Sequence, residues 1–218
     1  KRNEYTILLP GSPTDDFPKE RSRWEYKILK PKRFWTRIAL PLFLYTTRRK
    51  PDLFFSPTHY IPRFSPVRRV VTIFDLSFLR FPEMFKTRDL WQLRNWTKFS
   101  AENADYIITI SKFSKQDIVR QYGVDKNSII VAYPGYDLEN YKLQITNNKL
   151  EGTKKKYKVR DPYVICIGTI QPRKNLIRLI EAVSRIENLK LIIVGKTKGE
   201  GKEGWMYQET MDAPNRMG

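Results

Sequence analysis

The chain has 218 residues, enough for one ordinary domain or two small ones, and 40% of them are hydrophobic, which builds a core and excludes a disordered polyelectrolyte. Lys and Arg total 41 against 23 acids, and the net charge of +18 exceeds what solubility requires and points to anionic partners. A single cysteine excludes a disulfide framework and fits a reducing compartment, and no apolar run is long enough to span a bilayer. The chain opens with Lys1 and Arg2 ahead of a strand-like run without a signal-peptide pattern, so the expectation is a cytoplasmic protein, soluble or peripheral.

The first predicted strand covers residues 5–9. Between Arg21 and Lys50 ten Lys or Arg face one acid, Glu25, so this stretch carries +9, half the total, interleaved with Trp24, Tyr26, Phe34, Trp35, Phe43 and Tyr45. Two readings stand for it: a segment lying on an anionic membrane surface, or a surface helix docked on its own domain by those aromatics. Pro41 kinks or restarts any helix there. Short apolar strands are predicted at 53–55, 70–74, 106–110 and 129–132, with helices over 90–104 and 114–122. Ser114 and Asp117 resemble a capping box, Ser111 caps or precedes the same helix, and Gly123 suits its stop. Residues 137–160 are hydrophilic without an apolar period and read as a connecting loop, which places a domain boundary near Leu150. Strands at 163–167 and 189–194 flank a last helix over 176–186. The order of strand, helix and strand predicts an α/β fold with parallel sheets, as a larger domain over 1–150 and a smaller one over 151–218. Two strands make a marginal core, so the natural protein is expected to continue past Gly218.

The stretch from Tyr163 to Ile186 carries the chemistry. An apolar strand holding Cys166, expected as a small buried thiol, ends at Gly168, where the chain must turn tightly. Asn175 suits an N-cap, and Leu176, Leu179, Ile180, Val183 and Ile186 recur at helical spacing, so the helix begins beside Arg173 and Lys174. Backbone N–H groups at a helix start attract negative charge, and two cations add to it, so a phosphate fits there. The alternative is that Arg173 and Lys174 are ordinary solvated loop cations.

With these units in place the chain resembles glycosyltransferase family four, the group 1 glycosyltransferases, through PDLFFSPTHYIP (51–62), VVTIFDLSFLRFPE (70–83), ADYIITISKFSKQDI (104–118), VAYPGYD (131–137), GTIQPRKNL (168–176) and LIIVGK (191–196). The nearest flavour is bacterial mannosyltransferase-like enzymes of surface polysaccharide assembly. The resemblance implies the GT-B architecture of two Rossmann-like domains, the second incomplete here. It implies retaining, metal-independent transfer of a sugar from a nucleotide diphosphate donor, GDP- or UDP-linked, to a glycan or lipid-linked acceptor, with no further cofactor. Lys174 matches the family's phosphate-binding lysine and Arg173 is its helper; Gly168 and Thr169 complete the donor diphosphate site, with Thr169 standing where the family often has arginine. A His-Asp pair usually ends the strand that reads VVTIFD here, and this chain has Phe74 and Asp75 instead. Asp75 is a candidate for orienting acceptor or sugar hydroxyls, or a turn former or helix cap.

His59, the only histidine, follows a predicted strand in a loop that faces the cleft in similar enzymes; it contacts substrate or is a packed loop histidine. Asp137 closes a turn near the interdomain crossover. The family's acidic pair and both glycine-rich loops fall outside these residues, so little or no turnover is expected of them alone. A nucleic-acid-binding protein is the rival that the charge allows, though no nucleic-acid motif is present; a degenerate, scaffold-like transferase subunit is another.

Overall fold

A computed structural model describes residues 3–15, 17–136, 147–195 and 207–217. The chain divides into two compact units, residues 1–80 with 88–134, and residues 81–87 with 135–218.

In the first unit, β1 (Tyr5–Leu9) and β2 (Trp24–Ile28) pair in parallel, with Tyr5 opposite Trp24 and Leu9 opposite Ile28. β2 lies within the basic stretch 21–50, where no strand was expected, so that part of the stretch is strand and not surface helix. Its sequence WEYKI alternates aromatic and charged side chains with the period of a half-covered strand, a signal hidden by the surrounding charge. The Trp24 ring lies 5.6 Å from that of Tyr5, and Glu25 accepts from the Thr6 hydroxyl at 2.8 Å and pairs with Lys27 at 3.0 Å.

Helix in this segment is confined to a π turn at Trp35–Ala39 running into α1 (Leu40–Thr46). Pro41 lacks an N–H, and its ring crowds the carbonyl four residues earlier. The turn before it is accordingly widened, with the Leu40 N–H bonding to the Trp35 carbonyl.

β3 (Leu53–Ser56), β4 (Arg68–Thr72), α2 (Ser77–Arg80), α3 (Thr87–Asn103), β5 (Tyr106–Thr109), α4 (Lys112–Tyr122) and β6 (Ile129–Val131) follow. The four strands form one parallel sheet in the order β3-β4-β5-β6, the Rossmann-like α/β arrangement that alternating elements predict. Val71, Ile73, Leu76, Phe78, Ile107, Ile118 and Ile129 are each at most 2% exposed and form its core. Full burial of each such side chain contributes about 2 kcal/mol against the entropy of ordering it.

α4 starts one turn earlier than a Ser114–Asp117 capping box requires. Ser111 is the N-cap, in extended conformation, and its hydroxyl accepts from the Ser114 N–H at 3.0 Å. Asp117, buried within the helix, instead accepts from Arg80 Nη2 at 2.8 Å, Arg80 Nε at 3.3 Å and Arg120 Nη2 at 3.1 Å. Gly123 closes the helix in the left-handed region at φ 65, as a C-terminal glycine does.

The second unit holds α5 (Asn147–Lys156), β7 (Tyr163–Ile167), α6 (Leu176–Ser184), β8 (Lys190–Val194) and α7 (Tyr207–Met217). Leu150, where the domain boundary was expected, falls inside α5, so this part of the hydrophilic stretch is helix and not loop. Three lysines, Lys154 to Lys156, end α5, where cations favour a helix dipole. β7 and β8 pair in parallel from Tyr163 opposite Lys190 to Ile167 opposite Val194. Leu176, Ile180 and Val183 form the buried stripe of α6, which packs with α7.

Two expectations about burial do not hold in this unit. Ile165 is 50% exposed, Ile167 73% and Val194 48%, and Cys166 is half-buried, because two strands cover less of one another's faces than the middle of a wide sheet would. Ile186 lies past the end of α6 and is exposed.

Candidate functional site

The candidate residues fall into two clusters, one in each unit, both beyond the carboxyl ends of parallel strands, where open α/β sheets bind ligands. In the first unit His59 follows β3, and Phe74 and Asp75 follow β4. The parallel register between these strands brings the two loops together. The backbone N–H of Phe74 donates to His59 Nε2 at 3.2 Å. Because that group can only donate, Nε2 is the acceptor and the ring proton sits on Nδ1, facing Thr97 Oγ1 at 3.4 Å. The imidazole ring lies 5.8 Å from the Phe74 ring and 6.3 Å from Phe78. Burial pushes the His59 pKa down and the nearby negative charge of Asp75 pushes it partly back, so the ring is neutral near pH 7.

Asp75 is exposed, and its Oδ1 accepts from the Ser77 N–H at 2.8 Å, which starts the short helix α2. This is the cap geometry that a loop aspartate adopts, and it leaves Oδ2 outside the turn. Among the described residues no side chain bonds to Oδ2.

Two residues that sequence reasoning passed over hold this cluster in place. α3 turns Thr97 and Ser100 inward, both at most 1% exposed; Thr97 meets His59, and Ser100 Oγ accepts from the Ile61 N–H at 3.1 Å. Trp96 of the same helix packs on Tyr60 with ring centroids 5.3 Å apart. The available signal was a pair of small polar residues on the inward face of an otherwise regular helix, which demands a partner loop.

In the second unit, β7 ends at Gly168, whose φ of 150 favours glycine and whose N–H bonds to the Val194 carbonyl at 2.8 Å. The loop then reaches a short 3-10 turn at Pro172–Lys174, in which Lys174 and Asn175 donate their N–H groups to Gln171 and Pro172. Asn175 does occupy the N-cap of α6, but in the left-handed conformation at φ 53 and without a side-chain cap bond, which corrects its expected role. Asparagine is among the few non-glycine residues that visit this region readily.

The consequence is positional. The Lys174 side chain folds back over the end of β7, with Cε 3.6 Å and Nζ 3.8 Å from the point where a Gly168 Cβ would stand. These are ordinary contact distances, so it is the positive φ and not lack of space that favours glycine at 168. Gly195, after β8, lies against the same backbone: a Cβ there would fall 1.9 Å from the Gly168 carbonyl oxygen, so the end of β8 can come this close only as glycine. Gly195 was not singled out from the sequence as a site residue, although it follows the apolar run of β8 as Gly168 follows β7.

Thr169, Arg173 and Lys174 are exposed, and among the described residues neither cation pairs with an acid. The first-turn amides of α6 begin just beyond. The arrangement offers a compact anion a flexible ammonium, a neighbouring guanidinium and backbone N–H groups. Asp137 lies outside the described residues. Among the described residues no group of three His, Cys, Asp or Glu side chains is gathered as a metal ion requires.

Known proteins resemble part of this chain. The model of Glycosyltransferase Family 4 matches residues 1–140. The chain is 26% identical over 141 residues to an O-antigen chain mannosyltransferase B of Escherichia coli, an overlap of 61% of this chain and 34% of that protein. Over 94 residues it is 31% identical to a Campylobacter jejuni N-acetylgalactosamine-N,N'-diacetylbacillosaminyl-diphospho-undecaprenol 4-alpha-N-acetylgalactosaminyltransferase, covering 43% of this chain and 24% of that protein. The matched region is thus about a third and a quarter of the length of these curated relatives. The parallel Rossmann-like sheet and the family match over most of its length agree: the chain belongs to Glycosyltransferase Family 4.

Proposed function

We propose that this chain is part of a retaining, metal-independent glycosyltransferase of surface polysaccharide assembly. It moves a hexose, mannose by likeness to the E. coli relative, from a GDP- or UDP-linked donor to a hydroxyl of a glycan or lipid-linked acceptor. The reaction breaks the bond between the anomeric carbon and the diphosphate oxygen and makes one from that carbon to the acceptor oxygen. The diphosphate departs with the electron pair, and its freed oxygen takes up the proton that the acceptor hydroxyl gives up.

Negative charge therefore grows on the diphosphate in the transition state, and catalysis needs preorganised positive charge at that place. The observation that carries this reading is the Lys174 ammonium held 3.8 Å from the Cβ position of Gly168 at a strand end with no acid paired to it among the described residues. Arg173 and the first amides of α6 supply further positive potential. Thr169, with no hydrogen bond among the described residues, is small enough to leave the approach open.

On the acceptor side, Asp75 Oδ2 is the group suited to orient a hydroxyl. His59 acts as a positioning residue, since both of its nitrogens are engaged by the protein. Its neutral ring fixes the backbone of Phe74 and so the aim of Asp75.

Thermal melting tests the donor half of this reading. GDP or UDP should raise the melting temperature of the chain above that in sodium chloride of equal ionic strength, by the mass action of a ligand that binds only the folded state. Identical melting in nucleotide and in salt would count against a donor site.

A further inference from the structure

The helical segment at residues 34–46 is apolar on two opposite sides. Leu40, Pro41 and Leu44 are buried against the first unit, whereas Phe34 is 53% exposed, Ile38 47%, Leu42 56% and Tyr45 53%. Ile38, Leu42 and Tyr45 recur at spacings of four and three, so they share the outward face of the helix. A helix that is apolar only toward its own domain would carry polar side chains at these places. Leaving Ile38 and Leu42 half in water forgoes much of the free energy that burial would return.

The flanks of this face are cationic. Lys30, Lys32 and Arg33 precede it and Arg48, Arg49 and Lys50 follow, and all six are exposed. Arg49 pairs with Glu4, and Arg33 stacks 5.1 Å from the centroid of the Phe34 ring. The remaining four have no acid partner among the described residues. No helix of the described residues is long and apolar enough to cross a membrane, so this face can at most lie on one.

We propose that the outward face of 34–46 docks on an anionic lipid bilayer, with Phe34, Ile38, Leu42 and Tyr45 entering the boundary between headgroups and acyl chains and the flanking cations meeting lipid phosphate. Apolar residues on one face, an aromatic at either end and basic flanks match an interfacial helix in composition. Each cation close to an anionic surface raises partition about fivefold at low salt, an effect that fades beyond a Debye length of about 8–10 Å. The charge of the patch selects an anionic surface over a neutral one, and its apolar side chains select a bilayer over a nucleic acid, whose phosphates would need only the cations.

Cosedimentation with sucrose-loaded vesicles tests this on the whole chain without any sugar donor, so the result is independent of the transfer reaction. Phosphatidylcholine vesicles containing phosphatidylglycerol should bind the chain at least about tenfold more tightly than pure phosphatidylcholine, and rising salt should erase most of that difference. The triple variant Ile38→Ser, Leu42→Ser, Tyr45→Ser changes only exposed side chains; it should keep the circular dichroism of the parent and lose at least about tenfold in vesicle binding. Lys30→Gln, Lys32→Gln and Arg33→Gln together should flatten the dependence on phosphatidylglycerol. Equal binding to both vesicle types, or undiminished binding by the serine variant, would overturn the proposal. So would salt-sensitive capture of an RNA oligonucleotide by parent and serine variant alike, combined with weak vesicle binding.

Discussion

Both ring nitrogens of His59 are engaged by the protein, Nε2 with the Phe74 N–H and Nδ1 with Thr97, so the ring ties the loop after β3 to the turn after β4. The cost appears when it is protonated. In the unfolded chain His59 titrates near 6.5, and burial lowers that value in the fold. Below about pH 6.5 the unfolded chain therefore binds the proton first, so stability is full above that pH, falls as pH drops toward the folded value and levels off beneath it. As this is the only histidine, urea unfolding between pH 7.5 and 5.5 reads it almost alone: the parent should lose stability and His59→Gln should be flatter. Equal slopes would remove the buried neutral ring from the account. The presence of a histidine in a loop after a strand was legible in the sequence, and so was the choice between packing and chemistry. The donor at position 74 was not legible, because it is a backbone group that only the register of β3 on β4 supplies.

At the scale of elements, α4 illustrates how local and long-range signals combine. Ser111→Ala removes an N-cap bond and should cost about 1 kcal/mol. Arg80→Ala should cost more than that, because Asp117 is buried and would keep only the bond from exposed Arg120. Denaturant melts of the two variants check this order, and a larger loss from Ser111→Ala would contradict it. The parallel sheet was readable from apolar runs alternating with helical periods, since both depend on local spacing alone. β2 escaped because its alternation was embedded in a basic stretch, and α5 because lysine and asparagine dominate a short helix whose described side chains include no buried one. Burial in β7 was misjudged for a different reason: an apolar run specifies a strand, but the number of neighbouring strands decides how much of it is covered.

Over the whole molecule, the net charge of +18 is distributed unevenly, with half of it in the stretch from Arg21 to Lys50 and two further cations at the end of β7. The cluster of His59, Phe74 and Asp75 and the cluster of Gly168, Arg173 and Lys174 belong to separate units and share no residue. In the proposed roles Asp75 serves the acceptor hydroxyl and Lys174 the donor diphosphate. Asp75→Asn is expected to bind GDP or UDP as the parent does by calorimetry, and a tenfold weakening would show that the two clusters are not independent. The central claim is that a donor diphosphate is held where Lys174 lies over Gly168. Calorimetric titration of GDP and UDP into the parent and into Lys174→Ala tests it most directly. Loss of one charge-assisted contact should weaken binding by about 2 kcal/mol, or roughly thirtyfold, with folding unchanged because the residue is exposed. Equal affinities of parent and variant for both nucleotides would contradict the account.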